Sequence, residues 1–139
     1  MKHTISRRTV ILLAVAAAIF MIVGVSDAKA QHGYRVTKRV NFKKGEVATT
    51  VAGSIPNTLE SHEYIVRARK GQTIHLRLRT ARNSIGFYTM SPTNTMVEEE
   101  TFLKNYTGTL EETGEYHIFV YTTKGAGKYS LEIQIASDI

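Results

Sequence analysis

The chain has 139 residues, a formal net charge of +6 and no cysteine. The absence of cysteine excludes disulfide staples, thiol catalysis and thiolate metal sites together. The positive charge is modest and partly N-terminal, which argues against nucleic acid as a partner.

The N-terminus has the order of parts of a secretory signal. Lys2, Arg7 and Arg8 form a positive start, residues 10–25 are an unbroken apolar or small run, and Ala28-Lys29-Ala30 supplies the small-x-small pattern of a cleavage site. The apolar run is shorter than the ~20 residues of a spanning helix, so cleavage after Ala30 is expected rather than anchoring. Ser6-Arg7-Arg8 partly matches a twin-arginine signal. The plainer reading is a pair of charges that orient the segment during insertion. Removing residues 1–30 takes away four cations and Asp27, which lowers the net charge from +6 to +3. The expected product is one domain, residues 31–139, periplasmic or secreted and not membrane-spanning.

Within that domain the apolar period is two. A first strand is expected near residues 36–42. Val47, Thr49, Val51, Gly53 and Ile55 follow as an alternating row, then Tyr64, Val66 and Ala68. Ile74, Leu76 and Leu78 alternate with His75, Arg77 and Arg79. Tyr116, Ile118 and Val120 alternate with His117, Phe119 and Tyr121, and Tyr129, Leu131, Ile133 and Ile135 close the series. Turn residues separate the rows at Lys43-Lys44-Gly45, Pro56-Asn57, Lys70-Gly71, residues 81–84 and 91–94, Thr113-Gly114 and residues 124–127. Seven or eight short strands so spaced predict an all-β fold, an antiparallel β-sandwich of jelly-roll type. The best helical candidate is the short stretch 96–103. A two-residue hairpin at Lys70-Gly71 would set Val66 opposite His75 and put the two apolar rows on opposite faces. Either that loop carries a bulge, or the chain crosses there to a second sheet.

Candidate chemistry is sparse. His75, Arg77 and Arg79, with Arg67 and Arg69 close in sequence, would make a basic patch if they shared one face; a solvated sheet face is the simpler account. Glu98-Glu99-Glu100 offers oxygen ligands for calcium, but without nearby aspartate it reads as a solvated loop. The histidines show no metal-ligand spacing, and no nucleophile, phosphate-loop or dinucleotide motif appears. No cofactor, metal or catalytic residue is therefore expected, and the domain reads as a binder rather than an enzyme. Phe119 and Tyr121 lie opposite the apolar row of their strand. They form an exposed pair able to stack on sugars if that face is open, and a second small core if a loop covers it.

The order of Phe42-Lys43-Lys44-Gly45, Val51-Ala52-Gly53-Ser54-Ile55, residues 64–74, Tyr106-Thr107-Gly108-Thr109-Leu110, residues 113–120 and Tyr129-Ser130-Leu131-Glu132-Ile133 resembles the pre-peptidase C-terminal (PPC-like) β-sandwich. Within that group the chain is similar to the periplasmic inhibitors of goose-type lysozyme. The resemblance implies a protein partner, a lysozyme-like hydrolase, whose cleft receives loops from one end of the sandwich. The matching stretches are residues 56–62 and 122–128. They contain neither tyrosine nor arginine, so His62, Lys124 and Lys128 are their candidate polar contacts. The alternative is a module for envelope polysaccharide that uses Phe119 and Tyr121. Candidate partner-binding residues are thus His62, Arg77, Arg79, Phe119, Tyr121, Lys124 and Lys128.

The signal reading makes a direct prediction. N-terminal sequencing and intact mass of the exported protein should give a chain that begins at Gln31; a chain still carrying residues 1–30 would identify an anchor instead.

Overall fold

The structure, a computed structural model, describes residues 33–137. The signal segment expected over residues 1–30 lies outside the described residues. Eight strands follow one another: β1 (Tyr34–Arg39), β2 (Ala48–Ile55), β3 (Glu60–Ala68), β4 (Thr73–Arg79), β5 (Ile85–Met90), β6 (Asn105–Thr109), β7 (Gly114–Thr122) and β8 (Gly127–Ala136). They form two four-stranded sheets, ordered β1-β3-β7-β5 and β2-β8-β4-β6. Every neighbouring pair is antiparallel except β1 and β3, which run parallel. The expected sandwich is therefore present, with a parallel edge strand that the alternating pattern does not reveal.

Odd-numbered strands make one sheet and even-numbered strands the other, so every connection crosses between layers. This resolves the Lys70-Gly71 parity conflict in favour of a crossing. Gly71 takes φ 89° there, a left-handed conformation that costs glycine no steric clash. The inward rows are those expected. Tyr64, Val66 and Ala68 from β3, with Tyr116, Ile118 and Val120 from β7, are buried. Ile74, Leu76 and Leu78 from β4, with Tyr129, Leu131, Ile133 and Ile135 from β8, are buried in the same core. Each valine, leucine or isoleucine among them contributes ~1.5–3 kcal/mol of burial free energy, which is why the domain needs no disulfide. Val47 departs from its row. It lies one residue before β2 and is exposed.

Residues 96–103 are not helical. Residues 91–95 turn the chain back, and residues 96–104 return as a bent strap along β5, tied by bridges at Met90–Met96 and Phe87–Leu103. The Phe87 and Leu103 amides each donate to the other's carbonyl at 2.9 Å, and the Val97 amide donates to the Thr89 carbonyl at 3.0 Å. These bonds use the backbone groups a helix would need, and they cap an edge that would otherwise be open to pairing. Val97 and Leu103 pack against the core.

A buried polar cluster joins the layers. The Tyr129 hydroxyl lies 2.7 Å from His62 Nδ1 and 2.5 Å from the Tyr64 hydroxyl. His62 Nε2 lies 3.3 Å from a Glu60 carboxylate oxygen. Gly53 makes the room: a Cβ there would sit 2.6 Å from the Tyr129 hydroxyl and 2.9 Å from His62 Nδ1.

This contact predicts a coupled pair of variants. Tyr129→Phe strips two buried groups of a partner and should cost ~1–3 kcal/mol. Gly53→Ala should cost a similar ~1–3 kcal/mol by overpacking. In a double-mutant cycle by urea unfolding, the combined cost should fall short of the sum by ~0.5 kcal/mol or more, because Tyr129→Phe removes the oxygen that the new methyl strikes. Strict additivity would show that the two do not touch.

Candidate functional site

Strand direction gathers one set of loops at a single end of the sandwich: residues 56–59 after β2, 80–84 after β4 and 123–126 after β7. β6 and β8 begin there. The loops brace one another. Thr80 Oγ1 donates to the Lys128 carbonyl at 2.8 Å, and the Thr123 amide donates to the Ser84 carbonyl at 2.8 Å. Arg82 is seated against β8, since a Cβ on Gly127 would lie 2.8 Å from its Cγ. Lys104 Nζ donates to the Asn83 carbonyl at 3.2 Å and lies 4.9 Å from the centre of the Phe102 ring. Partial burial pulls the Lys104 ammonium below its ordinary pKa.

This end carries Arg79, Arg82, Lys104, Lys124 and Lys128, with Arg77 one step further along β4. Among the described residues, none of these six cations forms an ion pair. Arg77 sits in register with Glu132 on β8 without reaching salt-bridge distance. The cations therefore keep a positive field directed at solvent and at any partner.

The predicted site residues divide. Lys124, Lys128 and Arg79 come together at the basic end, with Arg77 beside them. His62 does not present itself: it is 8% exposed and turned inward to Tyr129. Its stretch offers Asn57, Thr58 and Leu59 instead, with Leu59 49% exposed. Arg67 and Arg69 do not join Arg77 and Arg79, because β3 and β4 belong to different sheets. Sequence reasoning missed Arg82 and Lys104. The signal was present in the parity conflict: a chain that changes sheet after β3 and again after β4 brings the turn 80–84 beside the turn before β8.

Phe119 and Tyr121 project from the outer face of the β1-β3-β7-β5 sheet, and that face is covered. Phe119 stacks on Tyr88 with centroids 4.9 Å apart and lies beneath the Arg35 guanidinium at 4.7 Å. It is 7% exposed. Tyr121 meets Phe102 edge to face at 5.6 Å and donates to the Thr101 carbonyl at 2.8 Å. Gly86 makes Phe102's place, since a Cβ there would overlap the ring. Phe119 is thus buried in a small aromatic cluster, whereas Tyr121 at its border is half-buried.

Glu63 organises the same face. It accepts from Thr37 Oγ1 at 2.7 Å, meets His117 Nδ1 at 2.7 Å and lies 3.8 Å from Arg35 Nη1. Burial pushes its carboxyl up, but the Thr37 and His117 bonds and the Arg35 charge outweigh that and hold it below the usual carboxylate range. Glu98 corrects the expected solvated run. It is 5% exposed, accepts the Thr89 amide at 2.8 Å, and has one oxygen without a partner. Burial raises its carboxyl pKa. No three of the described histidine and carboxylate side chains cluster to hold a metal, and no described helix is long and apolar enough to cross a membrane.

Two four-stranded sheets, connections that alternate between them and a loop-built end define an eight-stranded β-sandwich. The fold is shared with periplasmic inhibitors of g-type lysozyme. The inhibitor PliG of Aeromonas hydrophila superimposes with a TM-score of 0.65 at 21% identity, over 73% of this chain and 96% of that one. PliG of Salmonella Typhimurium gives 0.58 at 26% identity, over 72% and 97%. A PliG mutant from Escherichia coli gives 0.56 at 22%, over 73% and 97%. No family model and no curated protein sequence matches the chain.

Glu63 sets an acid limb for stability. A carboxyl held low in the folded state stabilises above its unfolded pKa, ~4.3, and that contribution is lost as pH falls through the folded value. Glu63→Gln should lower stability at pH 7. The gap to wild type should close between about pH 5 and the folded pKa, as followed by urea midpoints across that range. A gap unchanged down to about pH 2 would mean Glu63 contributes no pH dependence.

Proposed function

We propose that this chain is an exported, non-enzymatic inhibitor of g-type lysozyme, acting in the periplasm or outside the cell. The observation that carries this reading is the unpaired basic loop end on a fold shared with three such inhibitors. Glycoside hydrolases of this kind work with acidic side chains in an open cleft. A loop end bearing cations is complementary to such a cleft in charge. At an effective dielectric of about 20, a cation 4 Å from a carboxylate gains ~4 kcal/mol before desolvation is subtracted. Even one or two such contacts are therefore worth having.

Arg82 and Lys124 are the proposed central contacts, with Arg79, Lys104 and Lys128 around them. Bracing matters here. Arg82 is already seated against Gly127, and the loops 80–84 and 123–126 are hydrogen-bonded before any partner arrives. Less freedom is lost on binding, so more of the contact energy appears as affinity. Blocking the cleft requires no chemistry from the inhibitor. The polysaccharide alternative is less well supported, because Phe119 lies beneath Arg35 and the half-buried Tyr121 packs edge to face against Phe102.

Purified residues 31–139 should be mixed with g-type, chicken-type and invertebrate-type lysozymes and cell-wall lysis followed. Inhibition of the g-type enzyme near equimolar ratio is expected. Full g-type activity at tenfold excess would remove the proposal. An Arg82→Ala, Lys124→Ala double variant should inhibit ~10–100-fold less tightly and lose less of its affinity between low and physiological salt than wild type does.

A further inference from the structure

We infer that the opposite end of the sandwich holds a second binding site, an acidic-rimmed cavity that takes an ammonium or guanidinium group on a short alkyl chain. The inference does not rest on the lysozyme reading. The cavity lies between residues 91–97, where the strap leaves β5, and the β6–β7 connection. It encloses about 190 Å³. That is room for about six waters and below the ~300–1,000 Å³ of sites for drug-sized molecules. The natural occupant is a single long side chain or a small amine.

Its floor is apolar. Leu110 and Tyr116 are both buried, Val97 packs against the core, and Met96 stands at the mouth. Tyr106 contributes to the wall, and Glu111 and Glu112 contribute to the rim. The two sides are tied in advance. The Ser91 amide donates to the Thr95 carbonyl at 2.8 Å, and the Tyr116 hydroxyl donates to the Glu112 carbonyl at 2.6 Å. Thr93 Oγ1 donates to the Glu112 carboxylate at 2.7 Å and so joins strap to connection.

The electrostatics select the sign of the ligand. Hydrogen bonds from the Ser91 and Thr93 hydroxyls hold the Glu112 carboxyl below its usual range, so it is charged at neutral pH. The Tyr106 phenol is pushed up first by burial and then, to a smaller degree, by Glu98 and Glu111. Among the described residues, neither Glu111 nor Glu112 is in an ion pair. An apolar floor under unneutralised carboxylates, beside an aromatic ring, suits an alkyl cation. The stem lies along Met96 and Val97, and the head meets the carboxylates and Tyr106. An anion meets the wrong charge, and a neutral alcohol gains only the floor.

Amide NMR shifts of residues 31–139 should be followed while agmatine, Nα-acetyl-arginine N-methylamide or 1-pentanol is added. Saturable shifts at Thr95, Tyr106 and Glu111 with a cationic probe, and none with pentanol at the same concentration, would support the site. Binding of both cations would identify a partner protein's side chain as an occupant the site accepts; binding of agmatine alone would restrict the site to free amines. Glu111→Gln with Glu112→Gln should weaken binding ~5-fold or more. The amide introduced by Glu112→Gln still offers Thr93 an acceptor, so the wall stays in place. No saturable shift with either cation, equal binding of pentanol, or unchanged affinity in the double variant would each overturn the assignment.

Discussion

The Tyr129 hydroxyl is where the two sheets are held to one alignment. Apolar rows alone bring sheets face to face, but they tolerate sliding, because one methyl fits about as well as another. A hydroxyl buried between layers does not. Tyr129 on β8 meets His62 and Tyr64 on β3, and any slip leaves three polar side chains unsatisfied inside the core. The alignment in turn sets the loops. β3 follows the turn 56–59 and β8 follows the turn 123–126, so a fixed β3–β8 relation fixes those turns against each other. Gly53, with no side chain, is what allows the cluster to close.

Much of this was legible in the sequence, because a strand's period is local. The inward rows could be read directly, and so could the need for the chain to leave its sheet at Lys70-Gly71. What was not legible depended on neighbours distant in sequence. His62 occupies a period-two inward position, yet it looked like a surface contact because it lies near a loop. Phe119 and Tyr121 could have been open or roofed. The path of the strap lays Phe102 over Gly86 and against Tyr121, while Arg35 from β1 covers Phe119. Glu98 looked like one of three solvated carboxylates, and it turns inward because the strap pairs with Thr89. Arg82 was hidden in a turn whose importance comes from lying beside another turn more than 40 residues later.

Charged side chains gather at both ends of the finished domain. Cations without acidic partners collect at the end where β8 begins. Glu111 and Glu112 border the cavity at the other end. That end also carries Lys43, Lys44, Arg69 and Lys70, so the acidic character belongs to the cavity's border and not to the whole end. The outer face of the β1-β3-β7-β5 sheet stays out of this division. Its acid, Glu63, is tied to Thr37, His117 and Arg35, and its aromatic rings are spent on one another.

The alternation of strands between layers also governs when the chain can fold. No strand pairs with its immediate successor, so no hairpin can form early and wait for the rest. β7 lies inside one sheet and β8 inside the other, and these are the last two strands of the chain. Until they are available, β5 has no partner strand in its sheet, and β2 has none in the other. Contacts this distant in sequence form slowly. An incomplete chain therefore has little native structure to adopt, and the domain becomes compact only once its last two strands are in place.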